Sequence, residues 1–291
     1  MYTSVKISEP VRLERIHSFF HHHYAPDYRF PGEMHDFWEI VCVIKGKICV
    51  TAGEQIYGLG AGELIIHEPM EFHNFFVDDQ GGAQVCIVSF SAQTVPEEEL
   101  AKKVFCLNEF QLGLIRQMFA YLDDCRAKSD TYKAYRDALT QEPAAWFLPY
   151  MYLFEAQPNT AIMAASFVSQ LLLTLTDSEG RTRQPASAEA KQFQKVMDHL
   201  SGCVDQNITV QEIARQVGMS VSGLSRIFQK FAGISVHRYI LMQKIKVATR
   251  LLRSGVSVTE TSQKLGFSNQ SYFSACFKRE TGKKPSEIMK K

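Results

Sequence analysis

The stretch Phe30–Gly46, FPGEMHDFWEIVCVIKG, sets a histidine and a carboxylate four residues apart, His35 and Glu39. On a pleated strand such residues share a face. An imidazole and a carboxylate on one wall of a small barrel have three uses: holding a metal ion, gripping a small organic ligand, or satisfying each other. A second set of chemistry-bearing residues lies near the far end. There Ser222, Ser225, Arg226 and Gln229, and again Asn269, Gln270, Ser271, Ser274, Ala275 and Lys278, fall on the polar side of short helical patterns. Amides and arginines in that arrangement suit base-pair edges, since Asn or Gln pairs bidentately with adenine and Arg with guanine. A plain solvated helix face would use the same residue types. The run His21–His23 makes a poor metal site, because successive side chains of an extended segment cannot all aim at one ion.

Two different architectures must position these residues. From about Tyr24 to Phe90 the pattern is β: WEIVCVIKGKICVTAG reads as two short strands around Lys45-Gly46, and Gly46, Gly53, Gly58, Gly60 and Gly62 fall at hairpin spacing. Strands this short and closely spaced predict a sandwich or small barrel. After Pro96 the period becomes helical, with Phe110, Leu114, Met118 and Tyr121 on one stripe and a second apolar helix over Ala161–Thr176. The many Phe and Met residues of this region read as helical core or dimer surface. Asp177–Ala190, polar and containing Gly and Pro, reads as a linker.

Beyond the linker the charge changes sign. From Ser187 onward there are 17 Lys+Arg against 7 Asp+Glu, a net +10, while the remainder carries a net −9. Such asymmetry points the basic end at a polyanion. This end also contains an internal repeat. At an offset of 48, Val210, Glu212, Gly218 and Ser220 match Val258, Glu260, Gly266 and Ser268; after one inserted residue, Ser225, Phe228 and Gly233 match Ser274, Phe277 and Gly282. Each copy reads as helix, turn, helix: Ile213, Ala214 and Val217 inward, a left-handed Gly218, a Ser220 cap, then Leu224, Ile227, Phe228 and Phe231 inward. In copy two Gly266 is the turn, Ser268 the expected cap, and Phe273, Cys276 and Phe277 the inward set. Ser235–Gly255 between the copies is one long amphipathic helix, stiff enough to set both second helices on one side of a duplex.

The segment from about Ala190 to Ile288 resembles the DNA-binding domain of the AraC/XylS family of bacterial transcription regulators, through EIARQVGMSVSGLSRIFQK and above all LGFSNQSYFSACFKRETGKKPSEI. Thr261 and Ser262 depart from that pattern, standing where an apolar residue and alanine are usual, and Ala275 replaces a frequent arginine. Tyr24–Ser91 resembles the cupin-type sensor domains that precede this reader in many members, through FPGEMHDFWEI, VIKGK, GAGELIIHEPMEFHNF and VSF. Matching by position to metal-binding cupins puts Glu33, His35, Glu39 and His73 at the metal-ligand positions, with the first histidine lost. The ligand-binding set implied is His35, Trp38, Glu39 and His73, with Trp38 on the opposite strand face from Glu39.

The resemblance implies an α+β multidomain protein: a cupin-like ligand-sensing β-barrel over residues 1–95, a helical dimerisation segment over 96–180, and an all-α domain with two helix-turn-helix units over 190–291. The function implied is a ligand-responsive transcription regulator, an activator by weak analogy, sensing a carbohydrate or related metabolite. Its partners are promoter DNA, a small-molecule effector, a second copy of the chain and RNA polymerase. Neither enzyme chemistry nor a cofactor is required. The rival is a metal-dependent cupin enzyme fused to a DNA-binding tail; a third reading is a ligand-independent DNA-binding protein whose barrel serves assembly. No apolar run reaches the roughly 20 residues of a membrane span, no secretory leader is evident, and seven scattered cysteines without a CxxC pair read as reduced thiols of the cytoplasm.

Overall fold

The computed structural model describes residues 9–130, 132–133, 149–180, 188–202 and 208–289. Eight strands form the sensor half. β1 (Arg12–Tyr24), β7 (Ala83–Thr94), β2 (Trp38–Lys45), β5 (Glu63–His67) and β8 (Val104–Cys106) lie in that order in one antiparallel sheet, and β4 (Gln55–Gly60), β3 (Lys47–Ala52) and β6 (His73–Val77) in a second. Period-two alternation splits the first sheet between two cores. Val41, Val43, Val85 and Ile87 fill the barrel, while Ile40, Cys42, Cys86 and Val88 face outward beneath helices. This is why WEIVCV is apolar throughout: both of its faces are covered.

Two departures from the sequence reading stand out here. The sheet begins at Arg12, twelve residues ahead of Tyr24, because the alternation of β1 is masked by His and Arg side chains at its rim. A short strand, Val104–Cys106, also interrupts the region after Pro96, paired on the edge of β5. It follows α1 (Glu97–Leu100).

α2 (Glu109–Lys128), α3 (Pro149–Ala156) and α4 (Pro158–Thr176) cover the outer face of the first sheet. α2 starts at a capping box: Asn108 and Gln111 satisfy each other's backbone amides. It buries Leu114 and Met118, but Phe110 is 62% exposed and Ile115 and Leu122 complete the stripe. A stripe drawn from Phe110 is one position out of register with the true buried face. α4 is apolar enough in length and composition to cross a membrane, yet it buries Val168, Leu171, Leu172 and Leu175 in the sensor core. Half of the expected linker, residues 181–187, and Cys203 lie outside the described residues.

The C-terminal half is helical: α5 (Ala188–Ser201), α6 (Val210–Gln216), α7 (Val221–Phe231), α8 (Val236–Arg253), α9 (Val258–Lys264), α10 (Gln270–Thr281) and α11 (Pro285–Ile288). α6–α7 and α9–α10 are the two repeated units, and α8 joins them over about 27 Å. Gly218 and Gly266, at φ +70° and +66°, make the turns. A β-carbon is disfavoured in that left-handed region.

The two halves share a core. Met34, Met70 and Phe72 of the barrel pack among Phe228, Tyr239 and Met242, with Phe72 edge-on to Tyr239 at 5.1 Å. Gly32 permits this approach, since a β-carbon there would lie 2.2 Å from the Phe72 ring. Thr51 Oγ1 donates to the Phe231 carbonyl at 2.7 Å and Arg29 to that of Lys230 at 2.6 Å, while Lys283 pairs with Asp36 at 2.5 Å.

Candidate functional site

Inside the barrel lies a cavity of about 330 Å³. The part of its polar wall around Glu39 is assembled from four places in the chain, with His17 and Ser18 of β1 and His67 of β5 lining the rest. β2 supplies Glu39 and β6 supplies His73. The segment before β2 supplies Glu33 and His35, and β7 supplies Ser89, placed opposite Glu39 by the β2–β7 register. Ligand atoms of Glu33, His35, Glu39 and His73 all lie within 4.8 Å of one another. The His73 Nε2 atom is 3.3 Å from Glu39 and 3.5 Å from Glu33, and His35 Nε2 is 3.7 Å from Glu39.

The opposite ring nitrogens fix the tautomers. His73 Nδ1 donates to the Glu71 carbonyl and His35 Nδ1 to that of Phe37, both at 3.0 Å, so each Nε2 is aimed inward. Ser89 Oγ donates to Glu39 at 2.7 Å. Among the described residues neither Nε2 has a close hydrogen-bond partner, nor does the buried oxygen of Asn74. Two imidazoles tethered through Nδ1 and two carboxylates form a donor set that suits a divalent first-row cation. They equally suit a ligand rich in hydroxyl donors.

Burial works against charge here, and the pairing decides the outcome. For His73 burial lowers the pKa, but the Glu33 and Glu39 carboxylates beside its Nε2 atom outweigh it and push the group up to about 10. Glu39 is opposed by burial in the same way, yet His35 and His73 hold it well below the usual carboxylate range. Behind them His67 stacks on His73 at 4.3 Å and meets Glu71 at 3.0 Å. Burial, and then the charge of His73, lower the His67 pKa.

His35, Glu39 and His73 thus converge with Glu33, and Trp38 does not. On the other face of β2, Trp38 packs in the outer core and lines a separate cleft of about 1160 Å³ between the barrel rim and α8. The histidine run is divided as alternation requires: His21 sits edge-on to Phe119 beneath the helices, and His22 edge-on to Tyr24. Sequence reasoning missed Ser89 and Asn74. The signal for Ser89 was a lone hydroxyl in the inward stripe Val85, Ile87, Ser89.

On the C-terminal half, Leu224, Ile227, Phe228 and Phe231 are buried and Ser222, Ser225, Arg226 and Gln229 exposed. Ser220 caps α7 through the Gly223 amide at 3.0 Å. In the second unit the cap is Asn269, not Ser268: its side-chain oxygen accepts from the Tyr272 amide at 2.8 Å. The residue inserted between the repeats moves the helix start by one. That bond commits the Asn269 oxygen and leaves Gln270, Ser271, Ala275 and Lys278 on the exposed face, with Ser274 half-buried. Thr259 Oγ1 donates to the Gln270 Oε1 atom at 2.9 Å, and Tyr272 is 47% exposed; neither was expected at this face. Thr261 and Ser262 are buried in α9, and the Thr261 hydroxyl has no partner among the described residues.

Two family models match separate parts of the chain: an AraC-like ligand binding domain over residues 15–124 and a helix-turn-helix domain over 213–291. Among curated proteins, the Msm operon regulatory protein of Streptococcus mutans is 24% identical over 269 residues, 90% of this chain and 87% of its own. The HTH-type transcriptional activator RhaS of Klebsiella pneumoniae is 22% identical, covering 90% and 88%. The arabinose operon regulatory protein of Escherichia coli K12 is 33% identical over 132 residues, 44% of each chain. With a ligand-binding barrel and a double helix-turn-helix reader both matched in this order, the chain belongs to the AraC/XylS family of ligand-responsive, DNA-binding transcription regulators.

Proposed function

We propose that the chain is a transcriptional activator whose effector, a carbohydrate or related polyol, binds in the barrel cavity and acts on the reader through a short strap. The strap is the observation that carries this reading. Glu33 and His73 face the cavity and are bonded to each other through both backbone amides at 3.0 Å. Their chain neighbours Met34 and Phe72 sit in the core of the reader, against α8. An effector that draws on Glu33 or His73 therefore displaces residues packed on Tyr239. Its leverage is its difference in affinity between the two arrangements.

The ligand class follows from the wall. Glu33, Glu39 and the Asn74 oxygen are acceptors, and Phe30, Phe37 and Phe75 are aromatic, which suits a molecule with several hydroxyls and an apolar face. The arabinose and activator names of two relatives support the same class and outcome. Ser222, Ser225, Arg226 and Gln229 of α7 and Gln270, Ser271, Ser274 and Lys278 of α10 lie in successive major grooves, with Asn269 as a cap. Phe110, Ile162, Met163 and Leu173, exposed on α2 and α4, form the face on which a second copy docks. The dimer recruits RNA polymerase at promoters in the cytoplasm, and no catalytic step is involved.

The test is thermal stability of the full chain against a panel of sugars, polyols and organic acids. A responding compound raises the Tm of the wild type and loses that effect in His73→Gln; silence across the panel favours a barrel used only for assembly. A second reading rests on the convergence of four ligand atoms within 4.8 Å. Bound there, a divalent cation would supply Lewis acidity. Metal analysis of untagged protein decides it: stoichiometric iron, manganese or zinc, lost in His35→Ala, supports the cation, and metal-free protein rejects it.

A further inference from the structure

The two reading helices show corresponding positions to solvent with different residues. Aligned through Ser225 with Ser274 and Phe228 with Phe277, α7 carries Val221 where α10 carries Gln270, and Arg226 where α10 carries Ala275. All four are exposed. At each position one helix offers a small apolar group and the other a side chain able to pair bidentately, and the exchange runs in opposite senses at the two positions. Val221 is 42% exposed at the first turn of α7. Of the large apolar side chains exposed among the described residues, the others are Tyr272 on α10 and four on the sensor helices. Gln270 is held in place by Thr259, while its second oxygen lone pair and its amide protons stay available.

Valine and alanine cannot hydrogen-bond a base edge. The apolar mark the major groove offers them is the C5-methyl of thymine. Five residues separate the two positions, about 7.5 Å along a helix axis or about two base pairs. We infer that Val221 and Ala275 are thymine-reading residues, so that the half-sites carry reciprocal contacts. Under α7 a thymine meets Val221 and a guanine meets Arg226; under α10 an adenine meets Gln270 and a thymine meets Ala275. This rests on the proposed reader role of α7 and α10 and adds which bases they select.

The experiment is selection of bound duplexes from a random pool by the full chain. The enriched site is then titrated with each thymine in turn replaced by uracil, which lacks the methyl. One thymine in each half-site, about one helical turn apart, is expected to lose about fourfold in affinity without its methyl. Val221→Gln, reselected on the same pool, changes the base preferred at its own position from thymine to adenine and leaves the other positions unchanged. Ala275→Arg, reselected on the same pool, changes the preferred base at the second position from thymine to guanine, an outcome that a structural role for Ala275 would not give. An enriched site in which every thymine tolerates uracil, or an Ala275→Arg protein that still selects thymine, overturns the proposal alone. A pool with no enriched sequence overturns it together with the reader role.

Discussion

The barrel wall and the reading face put similar residue types to opposite physical use. In the cavity, Glu39 and His73 are 6% and 2% exposed and each is charged because the other is. On α7 and α10, Ser222, Arg226, Gln270 and Lys278 stand in solvent, with Thr259 bonded to Gln270 alone among them from a neighbouring helix. The cavity is therefore a cooperative object in which removing one member strands the rest, while the reading face is a row of independent groups. The proposed ligand sensing draws on the first property, since one contact moves several. Sequence reading draws on the second, since each base pair is tested separately.

Replacing one member at each place is the sharpest way to break this contrast. Glu39→Ala leaves the buried His73 imidazolium with the half-exposed Glu33 as its one remaining carboxylate and is expected to cost about 3 kcal/mol in urea unfolding, whereas Arg226→Ala should change stability by about 0.5 kcal/mol or less. Equal costs would abolish the distinction. The pH profile carries the same information. His73 binds its proton more tightly folded than unfolded, so its stabilisation is complete below its ordinary value of 6.5 and is lost as pH rises toward about 10. Unfolding of wild type and His73→Gln should converge across that window. For Glu39, held below its ordinary 4.5, the contribution is present above that value and lost as pH falls.

Arg226→Ala should instead register on DNA, weakening a selected site by about 1–3 kcal/mol and relaxing preference at one base pair, measured by fluorescence anisotropy. An equal loss on every sequence would make it a phosphate contact. The smallest effect concerns the two repeats themselves. Thr261 buries an unpaired hydroxyl in α9, whereas Ala214 and Ile213 line the matching helix α6. Thr261→Val is expected to raise stability by about 1 kcal/mol in the same urea experiment. A loss would mean that the hydroxyl holds a partner.

Much of the reader was legible because its signals are local. Gly218, Ser220 and the stripe Leu224, Ile227, Phe228, Phe231 specify a turn, a cap and a face within fourteen residues. The error at Ser268 arose where one inserted residue shifted the second helix, and only the Asn269 side chain bonded to the Tyr272 amide reveals the true start. Trp38, read from the sequence on the strand face opposite Glu39, packs there in the outer core and does not line the cavity, although the ligand-binding set had included it.

What the chain's residue order determined by itself is therefore its periodicities: two helix-turn-helix copies, a strutting helix between them, a basic end, and a strand-rich acidic beginning. Those depend on neighbours within a turn or a hairpin. Which side chains meet in the barrel was decided by tertiary structure, through the registers that set Ser89 against Glu39 and Glu33 against His73 across 50 and 40 residues of chain. The join between sensor and reader was decided there too, because Phe72 finds Tyr239 only after both halves have folded. Contacts of that range leave no period in the sequence, and they are the ones through which the proposed mechanism joins effector to reader.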